Sequence, residues 1–63
     1  MKTPEFQDEV KHKTADMAGV VVAKYPSLGK WLLDVRGSNE RIYYATPMEN
    51  WEVVRTAYER GQV

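Results

Sequence analysis

The chain of 63 residues contains no cysteine, and that single absence removes disulfides, thiolate metal sites and a cysteine nucleophile together. A secreted miniprotein of this size usually needs such staples, so an intracellular, cytoplasmic home is the expectation. Histidine is almost as scarce. A histidine-rich metal site or a Ser-His-Asp triad would have to be built around His12 alone, and a structural or surface role is the expectation for it.

Long apolar runs are missing too. The longest uncharged stretch, Met17 to Ala23, is too short to cross a bilayer, and the first residues lack the basic and apolar regions of a signal peptide. No membrane partner is expected. Excess charge of either sign is also lacking: nine basic residues balance nine acidic ones, spread along the chain. Such a balance gives no strong field to attract nucleic acid regardless of sequence. No internal repeat or low-complexity tract appears.

What is present reads as one domain, residues 1–63, with a core over about 6–54 and a tail after it. A domain this small hides only about 60% of the surface of its unfolded chain, so self-association is an open route to further burial. Between Ala18 and Ala45, β-branched and aromatic residues gather into three runs separated by turn chemistry: Gly19 to Tyr25, Lys30 to Arg36 and Glu40 to Ala45. Val20, Val21 and Val22 put valine on both faces of the first run. That is expected where a strand is covered twice, by a barrel or by a second subunit.

Gly37-Ser38 suits a two-residue type II′ turn, which pairs Leu33 with Ile42, Asp34 with Arg41 and Leu32 with Tyr43. In that register Trp31, Leu33, Val35, Ile42 and Tyr44 share one face, and Leu32, Asp34, Arg36, Arg41 and Tyr43 share the other. A one-residue slip would undo both.

The ends carry competing signals. Thr3-Pro4-Glu5, with acidic residues before Lys11, His12 and Lys13, fits a helix start, whereas the alternation of Phe6, Asp8, Val10 and His12 fits a strand. Near the other end Thr46-Pro47-Met48-Glu49 fits a capping box, and Met48, Trp51, Val54 and Tyr58 fall at helical spacing. Two helices would give an α+β domain, a three-stranded meander flanked at both ends. Two strands would give an all-β five-stranded barrel.

The order of landmarks favours the barrel. Phe6-Gln7-Asp8-Glu9-Val10-Lys11-His12-Lys13, then Ala18-Gly19-Val20-Val21, then Lys30-Trp31-Leu32-Leu33-Asp34-Val35, then Pro47-Met48-Glu49-Asn50-Trp51-Glu52-Val53-Val54 resembles the small bacterial SH3-like barrels. Relatives of that look include KOW-type modules, the hemimethylated-DNA-binding or heat-shock adaptor type, and the type II dihydrofolate reductases. The reductase comparison is the one that implies catalysis. Glu40-Arg41-Ile42-Tyr43 is similar to its Val-Gln-Ile-Tyr strand, yet Arg41 in place of glutamine would crowd four like charges into the shared pore of that family. The meander with Lys30-Trp31, Val35-Arg36 and Arg41-Ile42-Tyr43 also resembles plant ethylene-response and phage integrase arm-binding domains. There Asp34 sits between the two strand arginines, which argues against phosphate contact.

No catalytic constellation, cofactor motif or metal set emerges. Asp8, Glu9 and Asp16 lack calcium-loop spacing, and Gly29-Lys30 and Gly37-Ser38 read as turns rather than phosphate cradles. Trp31 and Trp51 are expected mostly in the core. The reading is therefore a non-catalytic binding or adaptor module from a phage or mobile-cassette context, meeting a protein partner or a second copy. Its expected contact residues are Tyr25, Leu28, Leu32, Arg36, Arg41 and Tyr43, with Tyr25 and Leu28 on an exposed loop. Nucleic-acid binding by the sheet face, using Lys24, Lys30, Arg36, Arg41 and Tyr43, is the second reading.

Overall fold

A computed structural model of the chain describes residues 2–61. Five antiparallel strands form one sheet: β1 (Glu9–His12), β2 (Ala18–Ser27), β3 (Lys30–Gly37), β4 (Ile42–Pro47) and β5 (Trp51–Arg55). Their order across the sheet is β4-β3-β2-β1-β5. No α-helix occurs among the described residues; a single 3₁₀ turn, Met48–Asn50, joins β4 to β5. The all-β reading therefore holds and the α+β alternative falls. β4 and β5 are the two edges and do not pair, so the sheet is not closed by hydrogen bonds.

Each lost helix has a local cause. At the first end, Gln7 takes a positive φ of 72° and donates its N–H to the Val21 carbonyl, while Val21 donates back to Asp8. These bonds commit the segment to β2 before a helix can propagate. At the other end the capping hydroxyl is used elsewhere. Thr46 Oγ1 donates to the Leu33 carbonyl at 2.7 Å and accepts the Trp51 indole N–H at 2.9 Å, and the 3₁₀ turn has no side-chain cap. Trp51 and Val53 then alternate inward along β5, leaving Val54 and Tyr58 exposed against the helical spacing.

The hairpin register also differs from the sequence expectation. Gly37 is not left-handed and does not open a type II′ turn. Instead Gly37 and Arg41 close a loop of Ser38, Asn39 and Glu40, with Glu40 N–H on the Gly37 carbonyl at 2.9 Å and Glu40 itself at φ 64°. This is the three-residue loop that ends in a left-handed residue. It moves the first part of β4, Ile42 to Tyr44, by three places, an odd number, and so exchanges its faces, while one extra residue at Ala45 restores the parity from Thr46 on. Val35 now pairs with Tyr43 and Arg36 with Ile42, which leaves Ile42 and Tyr44 exposed.

Val10, Val21, Leu33, Val35 and Trp51 form the core, with Met17, Met48 and Val53 packed on it. Gly19 is required where β2 crosses Gly37 of β3, because a Cβ there would run into the Arg36 carbonyl. Asp8 is the buried charged residue among these. Its Oδ2 accepts Glu5 N–H at 2.9 Å and its Oδ1 accepts Ala57 N–H at 2.8 Å, so one carboxylate ties the turn before β1 to the turns after β5. Removing it leaves two backbone donors short of an acceptor. Asp8→Ala should cost about 1–3 kcal/mol in urea denaturation, and Asp8→Asn, which keeps one acceptor oxygen, less. An unchanged midpoint for Asp8→Ala would contradict this role.

Candidate interaction surface

β2 and β3 extend beyond the core as a long hairpin, paired as far as Ser27 with Lys30. The connection is only Leu28-Gly29, at φ 50° and 77°, and both positive values identify a type I′ turn. Tyr25 therefore lies in a strand rather than in a loop, paired with Leu32. Leu28 stands at the tip, 100% exposed, at a position where asparagine or glycine avoids the strain that leucine carries.

The two tryptophans part company. Trp51 is 2% exposed at the centre of the core, edge-on to His12 with ring centroids 5.1 Å apart. Trp31 is 48% exposed, contrary to the expectation that it would be mostly buried. The reason is position. Trp31 shares the inward face with Leu33 but pairs with Pro26 near the hairpin tip, past the end of the core. Between them lies Lys24, paired with Leu33, its ammonium 5.1 Å from the Trp31 ring centroid and 3.0 Å from Glu5 Oε1. The aliphatic stem of Lys24 thus caps the core, and its charge is spent on Glu5 and the indole face.

Trp31 separates two depressions. One, about 720 Å³, is lined by Glu5, Phe6, Val22, Ala23, Lys24 and Trp31; Phe6 is exposed beside it. The other, about 200 Å³, runs between Gly29, Lys30 and Trp31 and the Pro47-Met48-Glu49 segment that leads into β5.

The six residues singled out from the sequence do not form one patch. Tyr25 and Leu32 are neighbours on the outer face of the hairpin, and Leu28 is at its end. Arg36 lies farther along that face, between Val20 and Ile42. Arg41 sits in the turn, where its carbonyl accepts from Gly37 and its N–H donates to Asn39 Oδ1. Tyr43 is half-buried and shares the inward side with Val35, its ring against Gly37. The Glu40-Arg41-Ile42-Tyr43 segment is thereby divided, with its first two residues in the turn and its last two in β4.

Protein-family models, curated proteins and solved structures show no significant match to the chain. Function must therefore be argued from the geometry. Among the described residues no group of three histidine, cysteine or carboxylate side chains stands close enough to hold a metal, and no helix is long and apolar enough to cross a membrane. The single histidine is engaged in local structure. His12 Nδ1 accepts Ala15 N–H at 3.0 Å and Thr14 N–H at 3.2 Å, which places the ring proton of the neutral form on Nε2.

One polar cluster shapes the hairpin. Asp34 Oδ1 accepts the Tyr25 hydroxyl at 2.9 Å and the Ala45 N–H at 2.8 Å. The hydrogen bond to Asp34 raises the Tyr25 phenol above its ordinary value; desolvation and the Asp34 charge add to it, and the Ala45 amide opposes. A raised folded-state value means the neutral phenol stabilises the fold. That contribution is whole below pH 10 and is lost as pH rises through the folded value. A tyrosinate absorbance titration should show one of the four tyrosines titrating late. Asp34→Asn, which keeps an acceptor and drops the charge, should bring it part of the way back, and Asp34→Ala further. Four coincident titrations in the parent chain would contradict the bond.

Proposed function

We propose that the chain is a non-catalytic protein-binding module on an SH3-like barrel plan, which holds an extended apolar segment of a partner protein across Trp31. The exposure of Trp31 carries the proposal. A half-exposed indole between two depressions, with Phe6 on one side and Pro47-Met48 on the other, presents a rigid aromatic anchor of the type that dominates binding energy at interfaces. Leu28 extends the same end of the hairpin with a fully exposed apolar side chain held in a strained turn.

The barrel plan is supported by the strand order β4-β3-β2-β1-β5 and by the 3₁₀ turn before the last strand. The choice of a protein segment over nucleic acid rests on charge. Lys24, the cation closest to Trp31, is neutralised by Glu5, while Arg36 and Arg41 stand on other parts of the molecule. A phosphate backbone needs several free cations along one track, and this groove offers none beyond Lys30 at its margin. Apolar side chains from an extended segment suit it better.

A peptide-display selection against the parent chain tests this directly. Enriched peptides should be apolar and should lose at least about tenfold in affinity on Trp31→Ala, the minimum expected for an aromatic anchor, with the fold unchanged because the side chain lies outside the core. Peptides that bind Trp31→Ala as well as the parent would overturn the assignment. So would a salt-sensitive complex with single- or double-stranded oligonucleotides in the same buffer, which would favour the nucleic-acid reading.

A further inference from the structure

The face of the sheet turned away from the core carries a row that crosses every strand. The register aligns Ile42 on β4, Arg36 on β3, Val20 on β2, Glu9 on β1 and Arg55 on β5. Val20, in the middle, is only half-buried, and Ile42 is exposed. The charges flanking Val20 are opposite in sign and equally spaced, one strand away on each side.

Neither charge is fully used within the chain. Arg55 reaches Glu9 through both Nε, at 2.8 Å, and Nη2, at 2.7 Å, and both bonds fall on Oε1. Oε2 of Glu9 accepts nothing among the described residues. The Arg36 guanidinium likewise has no ion pair or hydrogen bond among them; Lys11, Lys13, Lys30 and Arg41 share that state, but Arg36 is the one in this row, beside Val20. A groove of about 440 Å³ bordered by Gly19, Gly37, Ser38 and Glu40 runs beside Arg36 and Glu9, so both open onto it among the described residues.

We infer that this face docks a second copy of the chain in a symmetric dimer whose two-fold axis runs along β2, over Val20. Rotation about that axis exchanges the β1 and β3 sides. It lays Val20 on Val20 of the partner subunit, and it sets Arg36 opposite Glu9 of the partner subunit twice over, with the vacant Oε2 as acceptor. The three inner positions are self-complementary, as an isologous interface must be, and the outer ones set Ile42 against the aliphatic stem of Arg55 of the partner subunit. A second copy also explains the consecutive valines: Val21 is covered by the core, and Val20 is left half-exposed in a sheet that is not closed. The inference goes beyond the Trp31 reading, because it uses the opposite side of β3.

Sedimentation equilibrium from micromolar to millimolar chain tests it. The parent should dimerise, more weakly as salt is added. Arg36→Glu should raise the dimer dissociation constant at least tenfold, since it sets like charges together at two symmetric places, and Arg36→Glu with Glu9→Arg should recover most of the loss. A parent chain that stays monomeric at millimolar concentration overturns the inference, as does a dimer indifferent to Arg36→Glu. Because Glu9→Arg also breaks the Arg55 pair, a second measurement uses no variant. In mixed isotope-labelled and unlabelled parent chains, magnetisation transfer between copies should centre on the Val20 methyls, and transfer confined to other residues overturns the arrangement. Trp31→Ala should leave dimerisation untouched, so failure of this inference and failure of the peptide-groove reading are separately visible.

Discussion

The indole N–H of Trp51 is buried at the centre of the core and must find an acceptor, since leaving such a donor unpaired costs on the order of 1–3 kcal/mol. Thr46 Oγ1 supplies it and donates its own O–H to the Leu33 carbonyl, so one hydroxyl joins the first residue of β5 to β4 and β3. Thr46 reaches that place only because β4 contains an extra residue between Tyr43 and Thr46. At this bulge Ala45 adopts φ 54°, a conformation that costs an L-residue about 1–2 kcal/mol. Its freed N–H is taken by Asp34, which also holds the Tyr25 hydroxyl of β2. With His12 of β1 edge-on to the ring, all five strands answer to the placement of one indole.

The same constraint shapes the surfaces. Filling the core with Trp51 and four branched aliphatic side chains exhausts the available interior, and the hairpin of β2 and β3 runs on past it. Lys24 closes that end with its aliphatic stem, and its ammonium is tethered by Glu5. Trp31 comes next along the inward face, past the core, with Lys24 against its ring, and about half of it faces solvent. The apolar groove is thus a consequence of a core too small for two tryptophans, and the proposed contact with a partner uses the one left outside.

Strand identity was legible in the sequence because period-two alternation and β-branched residues mark β2 and β3 strongly. Register was not. Gly37-Ser38 satisfies the two-residue turn by composition, whereas the folded loop places Glu40 in the left-handed position usually given to glycine. Nothing in the residue types announces that choice, and it exchanges the faces of Ile42, Tyr43 and Tyr44, while the bulge at Ala45 returns Thr46 to the face of Leu33. Tyr43 was therefore expected outside and lies half-buried, while Ile42 and Tyr44 were expected inside and lie exposed. Leu28 was expected on an exposed loop and stands at an exposed turn, whereas Tyr25, expected in that loop, lies in β2, and Leu32, expected opposite Tyr43, lies opposite Pro47. Phe6 was missed as part of the surface, since its approach to Trp31 is set by the turn at Gln7, a non-local event, whereas Lys24, expected only as a nucleic-acid contact, reaches Trp31 through the pairing of β2 with β3.

Helix propensity at both ends lost for a reason that is quantitative. A capping box and a macrodipole each contribute on the order of 1 kcal/mol to a short helix that still bears its nucleation cost. The competing strands bring Val10 and Trp51 into the core and pair β1 with both β2 and β5. Burial of two large apolar side chains contributes about 3–6 kcal/mol, which exceeds what the local signals offer. It follows that changes to the capping residues should matter here through their strand roles. Thr46 is the decisive instance: as a helix cap it would serve one backbone amide, whereas in this sheet its hydroxyl holds the indole on which the core is built.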